Sequence, residues 1–282
     1  MSFLEIMIWD LCNLSLESGF ADSLSKTLAD YNSSANTTII NLMKGSVFAI
    51  GASLLTLFML MELTTMVNRA NGGEGGLGSL KLPANVLIKF AVFTFLFCHI
   101  PSILGGIEKI AVEVGGGMVS AANFNFGVGI NTSQVTTMAN AIDNLGFFDK
   151  IFTYIVVFVC WLFVHFVEGI IQITVVFRAF ELWLYLLFSP IPLATLASTE
   201  FRQSAINFLK SFMAVALQGA AIIACFLIYQ ALMGSFVTDF DPTGDVSKFV
   251  NSFLLQNILY AAVLTVSVFS SGKIIKQIMG AI

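Results

Sequence analysis

The amino-acid sequence predicts an all-α fold: a polytopic integral membrane helical bundle with about five transmembrane helices and one further proline-broken helix, re-entrant or interfacial. Composition is the first observation behind this, because the 282 residues are 57% hydrophobic and 11% charged, with a mean hydropathy of +0.89. A soluble domain carries about 25% charged residues. The second is length: crossing the hydrocarbon core takes about 20 apolar residues at ~1.5 Å each, and runs at 45–67, 85–104, 151–173, 212–232 and 249–269 meet that need. The third is the stretch 151–189, apolar apart from a few ionisable residues such as His165, Glu168, Arg178 and Glu181.

Taken in order, residues 1–43 form an acidic arm, with Glu5, Asp10, Glu17, Asp22 and Asp30 against Lys26. That balance is the opposite of a secretory leader, so none is expected. Phe3, Ile6, Met7, Leu11, Leu14 and Leu16 recur near helical spacing. They predict an amphipathic helix that either lies in the membrane interface or packs on neighbouring subunits. The spans at 45–67 and 85–104 follow, joined by the glycine-rich connector Asn-Gly-Gly-Glu-Gly-Gly-Leu-Gly-Ser. The longest connection is an outer loop, 105–150, holding a triple glycine at Gly115–Gly117, a second flexible stretch from Asn123 to Gly129, and then an amphipathic helix with Val135, Met138, Ala139, Ile142 and Leu145 on one face.

The sixth apolar piece, 182–197, contains Pro190 and Pro192 in the run Ser-Pro-Ile-Pro, which removes backbone donors and breaks a helix. If it does not cross, Arg69, Lys81, Lys89, Arg178, Arg202, Lys210, Lys273 and Lys276 share one side of the membrane. The positive-inside rule then places the N-terminus outside and the C-terminus in the cytoplasm of a multi-pass inner-membrane protein. The segment Ser189–Leu193 becomes a candidate lining element, since backbone freed at the prolines needs protein or cavity water as partner.

Ionisable side chains within a bilayer are costly and each asks for a role. Glu62 and Lys89, near the inner ends of the first two spans, are placed to pair, although snorkelling accounts for Lys89 equally well. His165 and Glu168 lie three apart on one helix face and Gln172 continues it, a polar stripe that serves either inter-helix packing or a proton relay. Arg178 and Glu181 repeat the three-residue spacing and are expected to pair. Ala216, Ala220 and Ala224, with Gly219 beside them, form a small-residue ridge suited to close helix packing.

Other function classes find no support. A net charge of -4 offers no basic field to hold nucleic acid, so DNA contact would be transient or supplied by partners. The cysteines Cys12, Cys98, Cys160 and Cys225 have no CxxC spacing, and His99 and His165 are too few for a zinc site. Neither a metal nor a cofactor is expected. No nucleophile–base arrangement or nucleotide-binding glycine motif points to catalysis.

The block FRAFELWLYLLFSPIPLATLASTEFRQSAINFLKSFMAVALQGAAIIACFLIYQA, from Phe177 to Ala231, resembles the central block of the TrbL family, polytopic membrane subunits of conjugative type IV secretion systems. The shared pattern is an aromatic segment (Phe180 to Phe188), a Ser-Pro-Ile break (Ser189 to Pro192), a basic amphipathic stretch (Glu200 to Lys210) and a span opening near Leu217 and Gln218. Phe58 to Glu62 also resembles forms from Gram-positive mobile elements. The resemblance implies a homo-oligomeric channel or scaffold subunit that helps pass DNA with its attached relaxase across the cytoplasmic membrane, working with partner ATPases. The brief basic tail after Lys276 departs from relatives with long hydrophilic C-terminal domains. Two rivals remain: a small-solute or ion transporter, suggested by His165, Glu168 and the broken helix, and an assembly scaffold without a pore.

Overall fold

The computed structural model describes residues 1–12, 23–71, 81–121, 132–237 and 246–281, and all regular structure among them is helical. The helices are α1 (Phe3–Cys12), α2 (Leu28–Tyr31), α3 (Ser33–Leu42), α4 (Phe48–Asn71), α5 (Lys81–Cys98), α6 (Ile100–Ala121), α7 (Thr132–Asp143), α8 (Phe147–Phe188), α9 (Pro190–Ala194), α10 (Arg202–Val237) and α11 (Val246–Ile278). Four stretches are long and apolar enough to cross a membrane: Ser33–Asn68, Phe147–Phe188, Arg202–Leu232 and Leu255–Ile278. The bent pair Ile88–Cys98 and Ile100–Ala121 makes a fifth if it counts as one span. The all-α polytopic bundle that composition predicts is therefore what the chain forms.

The residues gather into two compact units. The first comprises Met1–Ser25, Val114–Phe177 and Gly219–Gly272; the second comprises Lys26–Glu113, Arg178–Gln218 and Lys273–Ile282. Each has its own apolar core.

In the first unit α1 buries Leu4, Met7, Ile8 and Leu11 in a core shared with Val135, Met138, Ala139 and Ile142 of α7 and with Val157 and Val164 of α8. The buried side of the arm helix thus packs against its own chain. Of the residues expected on its apolar face, Met7 and Leu11 are buried, Phe3 and Ile6 are exposed, and Leu14 and Leu16 lie outside the described residues. Close approach of α6 to α10 rests on two small residues: a Cβ at Gly115 would stand 3.8 Å from the Cα of Ala220 and 3.2 Å from Cδ1 of Ile223.

Much of the expected outer loop is helical. Helix α6 continues through Gly115–Gly117 to Ala121, and α7 covers Thr132–Asp143. Glycine costs about 1 kcal/mol in a helix interior relative to alanine, and the ordered packing at Gly115 supplies a reason for the chain to accept it. The stretch from Asn123 to Gly129 and most of the connector after Asn71 lie outside the described residues.

The second unit holds the breaks. Helices α5 and α6 meet at His99 with a bend of 65°, so the run at 85–104 is not one straight crossing. Pro101 explains it, because its ring displaces the carbonyl four residues earlier and its nitrogen donates nothing. The piece at 182–197 also differs from expectation. Leu182 to Phe188 simply continues α8, and the break falls at Ser189, followed by α9 and a 3₁₀ turn over Thr195–Ala197. No residue of α8 lacks a backbone donor, so nothing ends the helix sooner.

Helix α8 has 42 residues and rises about 63 Å, against a hydrocarbon core of ~30 Å. Ordinary tilts reach about 40°, which does not absorb the excess. Part of α8 therefore lies beyond the hydrocarbon.

Candidate functional site

In the first unit the polar stripe of α8 meets the N-terminal helix. The His165 Nδ1 lies 2.7 Å from Glu168 Oε2, the three-residue contact that the spacing predicts. The Nε2 of the same ring lies 3.8 Å from Asp10 Oδ2. Trp161, one turn earlier on α8, donates its indole N–H to the same Asp10 oxygen at 3.0 Å and stacks edge-on against His165 with ring centroids 4.4 Å apart. At the end of α1, the fully buried Asn257 donates from Nδ2 to the Leu11 carbonyl at 2.7 Å. Gln172 stays exposed and does not join this cluster.

Sequence spacing could reveal His165 with Glu168 because they share a helix turn. Asp10, Trp161 and Asn257 were not singled out, since their contacts span 151 and 246 positions. The sequence signal is the polar pair Gln256 and Asn257 amid the apolar last span.

The second unit holds the other candidates. Glu62 Oε1 lies 3.5 Å from Lys89 Nζ, and its Oε2 accepts the Thr199 hydroxyl at 3.0 Å. One carboxylate thus joins α4, α5 and the turn that follows the 3₁₀ segment.

Arg178 does not pair with Glu181. It is buried and donates from Nε to the Val215 carbonyl at 3.2 Å and from Nη2 to the Ala216 carbonyl at 2.9 Å. Glu181 pairs with Lys276 of α11 at 2.8 Å. Helical spacing placed the two side chains near each other, but a planar guanidinium reaches two successive carbonyls of a neighbouring helix with better geometry, and α11 supplies a second cation.

Ser189 is fully buried, and its hydroxyl donates to the Leu186 carbonyl at 2.7 Å. Pro190 packs on Gly51, where a Cβ would stand 2.7 Å from the Pro190 Cβ and 2.8 Å from its carbonyl oxygen. Pro192, partly buried, offers its carbonyl to the Thr195 hydroxyl at 2.7 Å. The Leu186 carbonyl, which Pro190 cannot serve, is thus taken by the Ser189 hydroxyl.

On α7, Asp143 lies 2.7 Å from Lys150 Nζ and accepts the Tyr154 hydroxyl at 3.1 Å; the bond from Lys150 holds its carboxyl below the ordinary aspartate range.

Long apolar helices, exposed apolar side chains along them and a few buried ionic ties define a multi-pass α-helical membrane protein whose polar groups join helices. The chain matches the TrbL/VirB6 plasmid conjugal transfer-like family over residues 16–190, more than half of its length, and it belongs to that family. No curated protein matches it. It is accordingly a membrane subunit of a conjugal transfer, type IV secretion apparatus, from a family of structural transfer components rather than a known enzyme family, with other transfer components as its partners. The match ends at Pro190, so of the block from Phe177 to Ala231 only the part up to the proline break falls within it.

Proposed function

We propose that several copies of this chain surround an inner-membrane passage for DNA carrying its relaxase, with partner ATPases driving transport, the N-terminus outside and the C-terminus in the cytoplasm. The single observation that carries this reading is the family match over residues 16–190. Two features support it. The cavities of about 390 and 80 Å³ among the described residues are too small for a polymer, consistent with a passage formed between copies. Helix α8 also exposes large apolar residues along its whole length, among them Phe148, Leu162, Phe166, Ile173, Phe177 and Phe188. Lipid covers about 30 Å of such a face, leaving the rest for protein.

In this reading the polar groups of α8 and the proline break, namely His165, Glu168, Gln172, Arg178, Glu181 and Ser189 to Pro192, lie on or beside the route, and the Glu62–Lys89 pair braces it. Outward residues touch the substrate, while the packed ones set helix positions. DNA contact is brief, consistent with few basic residues. A photo-crosslinking residue at Gln172, exposed on α8, should capture the transferred strand during mating. A subunit fully assembled and supporting transfer, yet yielding no DNA adduct from Gln172 or other exposed α8 positions, would favour a scaffold.

The Asp10–His165–Glu168 cluster favours one further reading, an ion path. Glu168→Gln separates the two: an ion path predicts lost ion flux in proteoliposomes at normal protein abundance. A structural tie predicts loss of transfer only in proportion to abundance.

A further inference from the structure

Helices α2, α3 and α6 of the second unit, with Leu186 and Phe212, enclose a cavity of about 390 Å³. That volume lies within the range of about 300–1,000 Å³ typical of small-molecule sites. Its walls are mostly apolar, from Leu28, Ile40, Leu104, Leu186 and Phe212, and Glu108 contributes its carboxyl. Glu108 is only 7% exposed. One carboxyl oxygen, Oε1, accepts the Leu28 backbone N–H. Among the described residues no donor reaches the other oxygen. That oxygen is open to the cavity, where a donor on a ligand can pair with it.

The remaining polar groups define what would fit. Thr27, Asn36, Ser102 and Lys109 also line the cavity, and Ser102 and Lys109 are exposed. Asp30 and Arg178 are the other charged groups whose fields reach Glu108. A ligand complementary to this surface carries a primary ammonium for Glu108, an anionic group within reach of Lys109 and the hydroxyls, and an apolar body for the walls. In a chain built of membrane helices, the molecule that combines these three is a membrane lipid.

We propose that this cavity binds the headgroup of an aminophospholipid, with its ammonium on Glu108 and its phosphodiester towards Lys109 and Ser102. Phosphatidylglycerol has the phosphodiester but no ammonium, and its glycerol hydroxyls offer Glu108 only neutral donors. The cavity therefore discriminates between the two lipids through one charge-assisted hydrogen bond, about tenfold in retention.

The test uses the full chain in nanodiscs made from equal parts phosphatidylethanolamine and phosphatidylglycerol with matched acyl chains. Lipid retained after detergent extraction and washing is counted by mass spectrometry. The native chain should retain phosphatidylethanolamine about tenfold over phosphatidylglycerol. Glu108→Gln keeps an acceptor for the Leu28 N–H and removes the charge, so the preference should fall to near one.

Gly105 lines the cavity and a Cβ there meets nothing within 4 Å. Gly105→Leu should therefore fill the space and reduce retention of both lipids, with the helical circular dichroism unchanged. Equal retention of the two lipids by the native chain overturns the proposal, as does no retention of either, which leaves only water in the cavity. A preference that survives Glu108→Gln overturns it as well. If Gly105→Leu does not fold, Glu108→Gln decides alone. Mating plays no part in the measurement, so its outcome is independent of the transport reading.

Discussion

At the scale of single residues, the second unit depends on positions where one atom too many or one donor too few has nowhere to go. Gly51 is the sharpest, because an added Cβ would meet the Pro190 backbone oxygen at 2.8 Å and Phe97 Cζ at 2.9 Å. Gly51→Ala should cost about 1–3 kcal/mol by overpacking, read as a lower midpoint of denaturant-induced unfolding in detergent. Arg178 is the converse case. Its two donors satisfy the Val215 and Ala216 carbonyls inside an apolar core, and its charge faces that of Glu108. Arg178→Ala should cost about 3–5 kcal/mol, the scale for removing one partner of a buried ionic arrangement. Arg178→Lys should recover only part of it, since a single ammonium cannot reproduce the planar fork. The same unfolding measurement ranks the two variants, and equal midpoints would show that the fork geometry contributes nothing.

At the scale of elements, α1 is the instructive helix. Its apolar face packs on α7 and α8, yet within lipid an apolar face has nearly as good a partner in acyl chains as in protein. Polar ties then decide where the helix sits: the Asn257 bond to Leu11, and the Trp161 bond to Asp10. Asn257→Leu removes the first tie while keeping bulk. It should free α1, raising maleimide labelling of a cysteine at Met7, which is only 1% exposed in the native chain, severalfold over one at Phe3. These ties also show why the sequence was partly legible. Periodicity finds a helix and its apolar face, as it did for α7, but a polar contact between residues 10 and 161 has no local signature. Likewise Pro190 was readable as a break, whereas its seat on Gly51 depends on a fold contact that no spacing encodes. The prolines have an element-scale consequence too. Pro190→Ala with Pro192→Ala restores backbone donors and should extend α8 past Ser189, lifting the segment from Gly51. A fall in conjugation frequency at normal subunit abundance would support a mechanical role for the break, and unchanged transfer would remove it.

At the scale of the whole molecule, membership of the TrbL/VirB6-like family and four or five membrane-competent stretches establish a multi-pass transfer subunit, and the remaining question is which way it faces. Charge supplies the argument. Arg202 and Lys210 belong to the stretch after the proline break, while Lys273 and Lys276 lie near the chain's end. Translocating such clusters is disfavoured, so the charge bias predicts a cytoplasmic side for them. The structure adds a constraint of its own, because Glu181 and Lys276 are bonded at 2.8 Å. The break and the C-terminal helix end therefore lie at one level, and a single orientation must serve both. In a cysteine-free background, Glu200→Cys and Gln277→Cys should react together with a membrane-impermeant maleimide in inverted vesicles and stay unlabelled in intact cells. Labelling of both from outside would reverse the orientation and place the family's transfer route against the charge bias. Labelling of one from each face would mean that the Glu181–Lys276 bond does not form in the membrane.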